Sequence, residues 1–128
     1  MSIVDHVGLS ATDFERSRAF YTAALGALGI KELWNYSEGG HSHIGYGKDR
    51  PSFWLGSGKQ HRGEAHIAFV AASRAEVEAF YVTALANGGR DNGRPGLRAH
   101  YHPTYYSAYA LDPDGHNIEA VCHAAEDA

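Results

Sequence analysis

The segments DHVGLSATDFERSRAFYTAALGALG (residues 5–29) and AHIAFVAASRAEVEAFYVTALANGG (residues 65–89) decide the fold, because they align without a gap at an offset of 60 residues. The identical pairs are His6/His66, Ala11/Ala71, Ala19/Ala79, Phe20/Phe80, Tyr21/Tyr81, Ala24/Ala84, Leu25/Leu85 and Gly29/Gly89. A gap-free match over this length indicates that the chain contains two copies of one structural unit.

Each copy shows the same secondary-structure signals in the same order. A β-like run with one histidine comes first, and Asp13 or Ser73 then stands at the N-cap position before a helical pattern of apolar residues. Gly29 in the first copy and residues 88–89 in the second are typical of left-handed C-terminal caps. Each copy is therefore predicted to begin with a strand, followed by a helix of about four turns.

The remainder of each copy is predicted to be β-structure. The expected strands are Glu32–Ser37, His43–Gly47 and Ser52–Gly56 in the first copy, and Tyr105–Leu111 and Asn117–Cys122 in the second. The stretch RDNGRPGLRAHYHPT (residues 90–104) indicates a loop with at most a short edge strand, and DPDG (residues 112–115) indicates a tight turn. The predicted class is α+β, with two tandem βαβββ modules in one domain, module one at about 1–60 and module two at about 61–128.

Composition limits the class of function. The 128 residues carry a net charge of −4 with no run of Lys or Arg, which argues against a nucleic-acid partner. Cys122 is the single cysteine, so an intrachain disulfide is excluded, as fits a reducing cytosol. No apolar run approaches the ~18 residues of a membrane span. We therefore expect a cytoplasmic protein with a small-molecule substrate and no membrane partner.

Three polar residues in otherwise apolar strands suggest a metal site. His6 and His66 occupy equivalent positions of the two copies, and Glu119 interrupts the last strand, NIEAVC. If the modules pair with pseudo-twofold symmetry, two imidazoles and one carboxylate meet on one concave face. Such a facial triad holds a divalent metal and leaves coordination positions open. A lone strand histidine is more often a core or surface residue, but the repeat makes a shared site more probable than that alternative.

The stretches DHVGLSATDFERSRAFY, AHIAFVA and LDPDGHNIEAV resemble the vicinal oxygen chelate superfamily, which includes glyoxalase I, bleomycin-resistance proteins and extradiol dioxygenases. The resemblance covers residues 3–123. The resemblance implies that the two βαβββ modules pair to form a curled mixed sheet around a metal-binding cavity. It also implies ligands from the first strand of each module and from the last strand, which correspond to His6, His66 and Glu119.

One departure from the family pattern concerns a fourth ligand. Glyoxalase I has a carboxylate in the last strand of its first module, where SFWLG (residues 52–56) places Trp54 or Leu55. Neither residue binds a metal, so the resemblance argues against true glyoxalase I. A partial extradiol-dioxygenase fingerprint is present in His102, Tyr109 and the DPDG turn. It implies His102 as an acid or base, and Tyr109 as a donor to a substrate oxygen.

Further residues are candidates for substrate binding. Tyr105 and Tyr106 are alternatives, because only one of two strand neighbours faces the cavity. Arg98 is a candidate clamp for an anionic substrate, although a loop arginine is usually solvated, and Trp54 is a candidate for an apolar wall or for the core. Five other histidines are expected in turns or at the surface: His41, His43, His61, His116 and His123.

The expected function is that of a divalent-metal-dependent enzyme of the glyoxalase/dioxygenase type, either a lyase or isomerase or a ring-cleavage dioxygenase. Its substrate would be a small vicinally oxygenated molecule that chelates one Fe, Ni, Mn, Zn or Co ion. The alternative is a metal-free binding protein like the bleomycin-resistance proteins. A homodimer is expected, with the modules pairing either within one chain or between two chains.

Overall fold

Two βαβββ modules follow one another along the chain, as the repeat predicts, in a computed structural model that describes residues 3–58 and 65–125. Module one comprises β1 (Val7–Ala11), α1 (Phe14–Gly26), β2 (Lys31–Glu38), β3 (His41–Gly47) and β4 (Pro51–Ser57). Module two comprises β5 (His66–Val70), α2 (Arg74–Ala86), β6 (Arg90–Leu97), β7 (Tyr106–Leu111) and β8 (Asn117–Cys122). The predicted boundary near residue 60 lies outside the described residues.

Each module forms its own four-stranded mixed sheet. The strand orders are β1-β4-β3-β2 and β5-β8-β7-β6, so the two modules have the same topology. The first strand of each module pairs in parallel with the last, and the other neighbours are antiparallel. The sheet is therefore two separate halves within one chain. No helix among residues 3–58 and 65–125 is long and apolar enough to cross a membrane.

The expectation of a loop at residues 90–104 is wrong over its first half, where the eight-residue strand β6 forms. Its register with β7 shifts on both sides of Gly93. β6 is the edge strand of its sheet, so it pairs with a neighbour on one side instead of two. Pro95, which lacks a backbone N–H, is tolerated at such an edge. Glycine and proline have low strand propensity, so the sequence pattern does not indicate this strand. Pairing with β7 nevertheless stabilises it.

Both helices begin at the predicted N-caps. The Arg16 amide donates to Asp13 Oδ1 at 3.2 Å, and the Glu76 amide donates to Ser73 Oγ at 3.1 Å. Each helix is followed by a glycine with positive φ, Gly29 at 78° and Gly88 at 96°. These local signals set the length of each helix, and thereby the direction in which the chain enters the next strand.

The helices of the two modules pack against each other around one shared core. Phe20 of α1 lies so close to Gly89 that a Cβ there would come within 2.5 Å of the ring. Phe53 of β4 makes an edge-to-face contact with Phe69 of β5, with ring centroids 5.3 Å apart. The modules therefore share a core, although their sheets do not join.

A buried hydrogen bond also ties module one to the β7–β8 turn. The Tyr21 hydroxyl donates to Asp112 Oδ2 at 2.5 Å, and both residues are buried. Burial and the adjacent Asp112 carboxylate raise the pKa of Tyr21 well above its usual value, so the hydroxyl stays a donor. At the rim, the Thr12 hydroxyl donates to Asp114 Oδ1 at 2.6 Å.

We expect Tyr21→Phe to lower the free energy of unfolding by about 1–3 kcal/mol, because a buried carboxylate loses one of its donors. Urea denaturation measures this loss. Tyr81→Phe is the matched control, since Tyr81 is the repeat counterpart of Tyr21 and hydrogen-bonds to the exposed Asp91 instead. If Tyr81→Phe lowered the free energy of unfolding as much as Tyr21→Phe does, the proposed contribution of the Tyr21–Asp112 hydrogen bond would be contradicted.

Candidate functional site

Strand register places Glu119 in a row of side chains on one face of the second sheet. Glu119 lies opposite Ala68 of β5 and Tyr109 of β7, and Tyr109 lies opposite Gly93 of β6. Directly paired residues point to the same face. The small residues Ala68 and Gly93 therefore flank the two functional side chains and leave space above the sheet.

The equivalent row of the first sheet has a different composition. Gly8, Trp54, Gly45 and Trp34 are paired in the positions that Ala68, Glu119, Tyr109 and Gly93 hold in the second sheet. Trp54 is thus the structural counterpart of Glu119, and Leu55 is buried in the core. This register decides between Trp54 and Leu55 as the residue at the fourth-ligand position. The Trp54 ring lies over Gly45, where a Cβ would come within 2.9 Å of the indole.

His66 and Glu119 form the centre of the candidate site. His66 Nε2 lies 3.2 Å from Glu119 Oε1, and the exposed fractions of the two side chains are 49% and 2%. The other ring nitrogen, Nδ1, lies 3.1 Å from the backbone oxygen of Asn117. A carbonyl only accepts, so Nδ1 carries a proton and the lone pair of the neutral ring is on Nε2. The close approach of Nε2 to a carboxylate requires a proton or a cation between them.

Two tyrosines complete the surroundings of the carboxylate. The Tyr105 hydroxyl donates to Glu119 Oε2 at 2.5 Å, and this decides between Tyr105 and Tyr106, whose hydroxyl instead donates to Glu78. Burial and the Glu119 carboxylate raise the pKa of Tyr105, and burial is also the main cause of the raised pKa of Tyr109. Both hydroxyls therefore remain protonated donors near neutral pH.

These residues line a cavity of about 590 Å³ in module two. Its walls bring together four predicted site residues besides Glu119: His66, Arg98, Tyr105 and Tyr109. The sequence analysis missed four others: Asn92, His100, Tyr101 and Asn117. Strand alternation would have found Asn117, which is two residues before Glu119 on β8. Asn92 lies on β6, in the stretch where the sequence pattern predicts a loop with at most a short edge strand.

Three predicted site residues lie outside this cavity. His6 directly precedes β1, and its Nδ1 is 2.8 Å from Asp5 Oδ2 with the side chain 60% exposed. Trp54 belongs to the first sheet. His102 is exposed, and its Nδ1 accepts from the Thr104 amide at 3.2 Å, so its predicted catalytic role stays a prediction.

The other histidines deviate from expectation at one position. His116 is buried beside the β7–β8 turn, where its Nδ1 accepts from the Ala65 amide at 3.1 Å. The prediction of a turn or surface position is therefore wrong about its burial, because the tertiary fold covers the turn. His61 lies outside the described residues.

His66 and Glu119 fit two neighbouring positions of a metal site. Ligand atoms at about 2.1 Å from one metal and at right angles to each other are about 3 Å apart, close to the observed contact. Among residues 3–58 and 65–125, no Lys or Arg forms an ion pair with Glu119, and a bound cation would offset the cost of burying it. No group of three His, Cys, Asp or Glu suited to a metal occurs in the described part of a single chain.

Comparisons with known proteins agree with this fold. The family model of the Glyoxalase/Bleomycin resistance protein/Dioxygenase superfamily matches residues 3–120. A glyoxalase/bleomycin resistance protein from Albidiferax ferrireducens is similar, with 31% identity, a TM-score of 0.72 and coverage of 94% of this chain and 98% of that one. A sequence comparison with curated proteins finds no match.

Two further structures share the fold. A glyoxalase/bleomycin resistance protein/dioxygenase domain from Frankia has 20% identity, a TM-score of 0.70 and coverage of 95% and 98% of the two chains. A glyoxalase I mutant from Zea mays has 23% identity and a TM-score of 0.69, covering 92% of this chain and 46% of that one. At these identities the likeness concerns the fold alone.

We expect His66→Ala to lower the affinity for a divalent metal by more than about 100-fold while the protein remains folded, because the variant loses a ligand from an open face. Competition with a chelator measures the affinity, and circular dichroism checks the fold. His41→Ala, at an exposed position of β3, is the matched control. Unchanged metal affinity in His66→Ala would show that this histidine has only a packing role.

Proposed function

Because the chain belongs to the glyoxalase/bleomycin resistance protein/dioxygenase superfamily, we propose that it is a divalent-metal-dependent enzyme acting on a small vicinally oxygenated substrate. The observation that carries this proposal is the contact of His66 Nε2 with the buried Glu119, with Nδ1 bound to a backbone carbonyl. A second partner on Nδ1 is the usual arrangement for a metal-binding imidazole, because it fixes the tautomer.

The third ligand in this proposal is His6 of a second copy of the chain. His6 is the repeat counterpart of His66, and each chain exposes it on the first sheet, apart from the cavity. The same sheet exposes Trp34 and Tyr36, with 57% and 42% of each residue accessible. A homodimer in which the first sheet of one chain faces the second sheet of the other would cover these rings. It would also bring His6 to His66 and Glu119, and form two equivalent sites.

A metal bound there would act as a Lewis acid on two adjacent substrate oxygens. The chain's own residues would hold the rest of the site in place. Tyr105 fixes one carboxylate oxygen of Glu119 and leaves the other directed at His66. Tyr109 stacks near His66, with ring centroids 6.3 Å apart, and its hydroxyl would turn from Glu119 to donate to a substrate oxygen.

Trp54 argues for a reaction other than that of glyoxalase I. It stands in the register position of Glu119 in the first sheet, so the fourth ligand of the resemblance would be an indole. An indole neither binds a metal nor accepts a proton from carbon. A three-ligand site leaves an additional coordination position, which suits a chelating substrate together with a second small molecule such as oxygen, as in extradiol dioxygenases.

Mixing two variants tests the site between chains. We expect His6→Ala and His66→Ala each to lose metal binding, and a mixture exchanged through unfolding and refolding to recover about a quarter of the wild-type metal content. Half of the dimers would then be mixed, and each would have one intact site. Each variant refolded alone is the control. No recovery in mixed dimers would contradict a site shared between chains, and wild-type protein without metal affinity would favour the metal-free binding alternative.

We expect little or no turnover of the methylglyoxal–glutathione hemithioacetal by protein reconstituted with nickel, zinc or iron in turn. The reaction moves a proton between adjacent carbons, and Trp54 provides no base. A spectrophotometric assay, with a dedicated glyoxalase I as the positive control, measures the rate. Turnover comparable to that control would show that the reaction class has been misassigned.

A further inference from the structure

We propose that the substrate carries a carboxylate, separate from its chelating oxygens, which binds to the guanidinium of Arg98. The inference rests on the proposed function, because it names the class of substrate for the same site. It depends on how β6 and β7 hold Arg98 at the wall of the cavity that contains His66 and Glu119.

Two glycines of β6 provide the space in which the guanidinium lies. A Cβ at Gly93 would come within 3.4 Å of Arg98 Nη2 and within 2.8 Å of the Tyr109 ring, and a Cβ at Gly96 would lie 3.5 Å from Arg98 Nη1. Gly93 also has a φ of 150°, which side chains rarely adopt. The bare surface of this strand therefore lets the arginine side chain lie across it.

Contacts on the other sides hold the guanidinium in one orientation. Its Nη2 donates to the backbone oxygens of Arg94 at 2.5 Å and Ser107 at 3.3 Å. Its central carbon lies 5.4 Å from the Tyr109 ring centroid, within the range of a cation–π contact. These contacts immobilise a long side chain before a ligand arrives, which lowers the entropic cost of binding.

Arg98 has no ion-pair partner among the described residues. Within the described part of the chain, no Asp or Glu forms an ion pair with Arg98, and its hydrogen bonds there are the two from Nη2 to carbonyls. The Nε and Nη1 donors remain available to a ligand. Because Nη2 is already bound to carbonyls, a carboxylate would be held by the charge of the guanidinium and by single hydrogen bonds from the other donors.

Arg98 lines the same cavity as His66 and Glu119 without an ion pair to Glu119. Glu119 already uses its two oxygens on His66 and Tyr105, and it has no ion pair with Arg98. A substrate chelated beside His66 and Glu119 would then present a second group to Arg98. A cavity of about 590 Å³ accommodates a small dianionic molecule of this kind.

Matched ligand pairs test the inference. Isothermal titration of the full-length, zinc-loaded protein would compare catechol with 3,4-dihydroxybenzoate, and lactate with malate, since the second member of each pair adds one carboxylate. The variants are Arg98→Met, which removes the charge, and Arg98→Lys, which keeps it. Arg94→Met is the control, because Arg94 lies on β6 four residues before Arg98 but does not line the cavity.

In at least one pair, we expect the added carboxylate to tighten binding by about 10- to 100-fold. Arg98→Met should abolish this preference and leave the affinity for the parent ligand, catechol or lactate, unchanged. Arg98→Lys should retain part of the preference, and Arg94→Met should retain all of it. If Arg98 had only a structural role, Arg98→Met would lower the affinities for both members of a pair equally. Equal affinities within both pairs, a preference that survives in Arg98→Met, or no binding of either 3,4-dihydroxybenzoate or malate would overturn the inference.

Repeating the titrations without metal separates the two proposals. A carboxylate preference that depends on Arg98 but persists in metal-free protein would support the role of Arg98 and contradict the metal-dependent function. Metal-dependent binding with no carboxylate preference would overturn the role of Arg98 and leave the metal-dependent function standing.

Discussion

The buried carboxylate of Asp112 is the constraint on which the site depends. It is 3% exposed and accepts hydrogen bonds from the amides of Asp114 and His116 and from the Tyr21 hydroxyl. An ionised carboxylate is costly to bury unless such donors surround it. The hydrogen bonds from the two backbone amides close the turn between β7 and β8. They thereby set the register in which Tyr109 faces Glu119. The third bond fixes this turn to the first module.

The repeat gives both modules one topology but two different surfaces. Corresponding rows of the sheets contain Glu119 beside Tyr109 in one module, and Trp54 beside Gly45 in the other. A glycine beside the tryptophan lets the indole lie flat, and a tyrosine beside the glutamate contributes a hydroxyl near a carboxylate. One surface is polar and can hold a cation, whereas the other is aromatic. The repeat thus accounts for the common topology, and different residues at a few positions of one row account for the different chemical properties of the two surfaces.

The cavity combines groups that are unfavourable in isolation. Glu119 is a buried carboxylate with an imidazole and a phenol as its partners, and Arg98 is a half-buried cation held by carbonyls. Each would gain from a ligand of opposite charge, since electrostatic interactions strengthen away from water. The proposed metal and the proposed carboxylate satisfy these two requirements separately. The same separation orients a substrate between the two positions.

The sequence by itself determined the elements that depend on local signals. Asp13 and Ser73 cap the two helices as predicted, and the β8 strand has its predicted bounds, because caps, apolar periodicity and turn residues act over a few residues. The sequence also predicts that His66 and Glu119 share one site with His6, from the repeat and from the polar position in the last strand. Residues that repeat at a fixed offset must occupy equivalent places if both copies fold alike.

Only the tertiary structure decided which side chains share the cavity. β6 forms through pairing with β7, and this places Arg98 over glycines that the sequence pattern had suggested belonged to a loop. Strand register puts Trp54, and not Leu55, in the position that corresponds to Glu119. Burial of the β7–β8 turn makes His116 a buried residue. Of the three expected ligands, His66 and Glu119 lie together within one chain, whereas His6 lies directly before β1 of the other sheet. Pairing between distant strands sets these positions, and a one-residue shift of register reverses the face of every side chain.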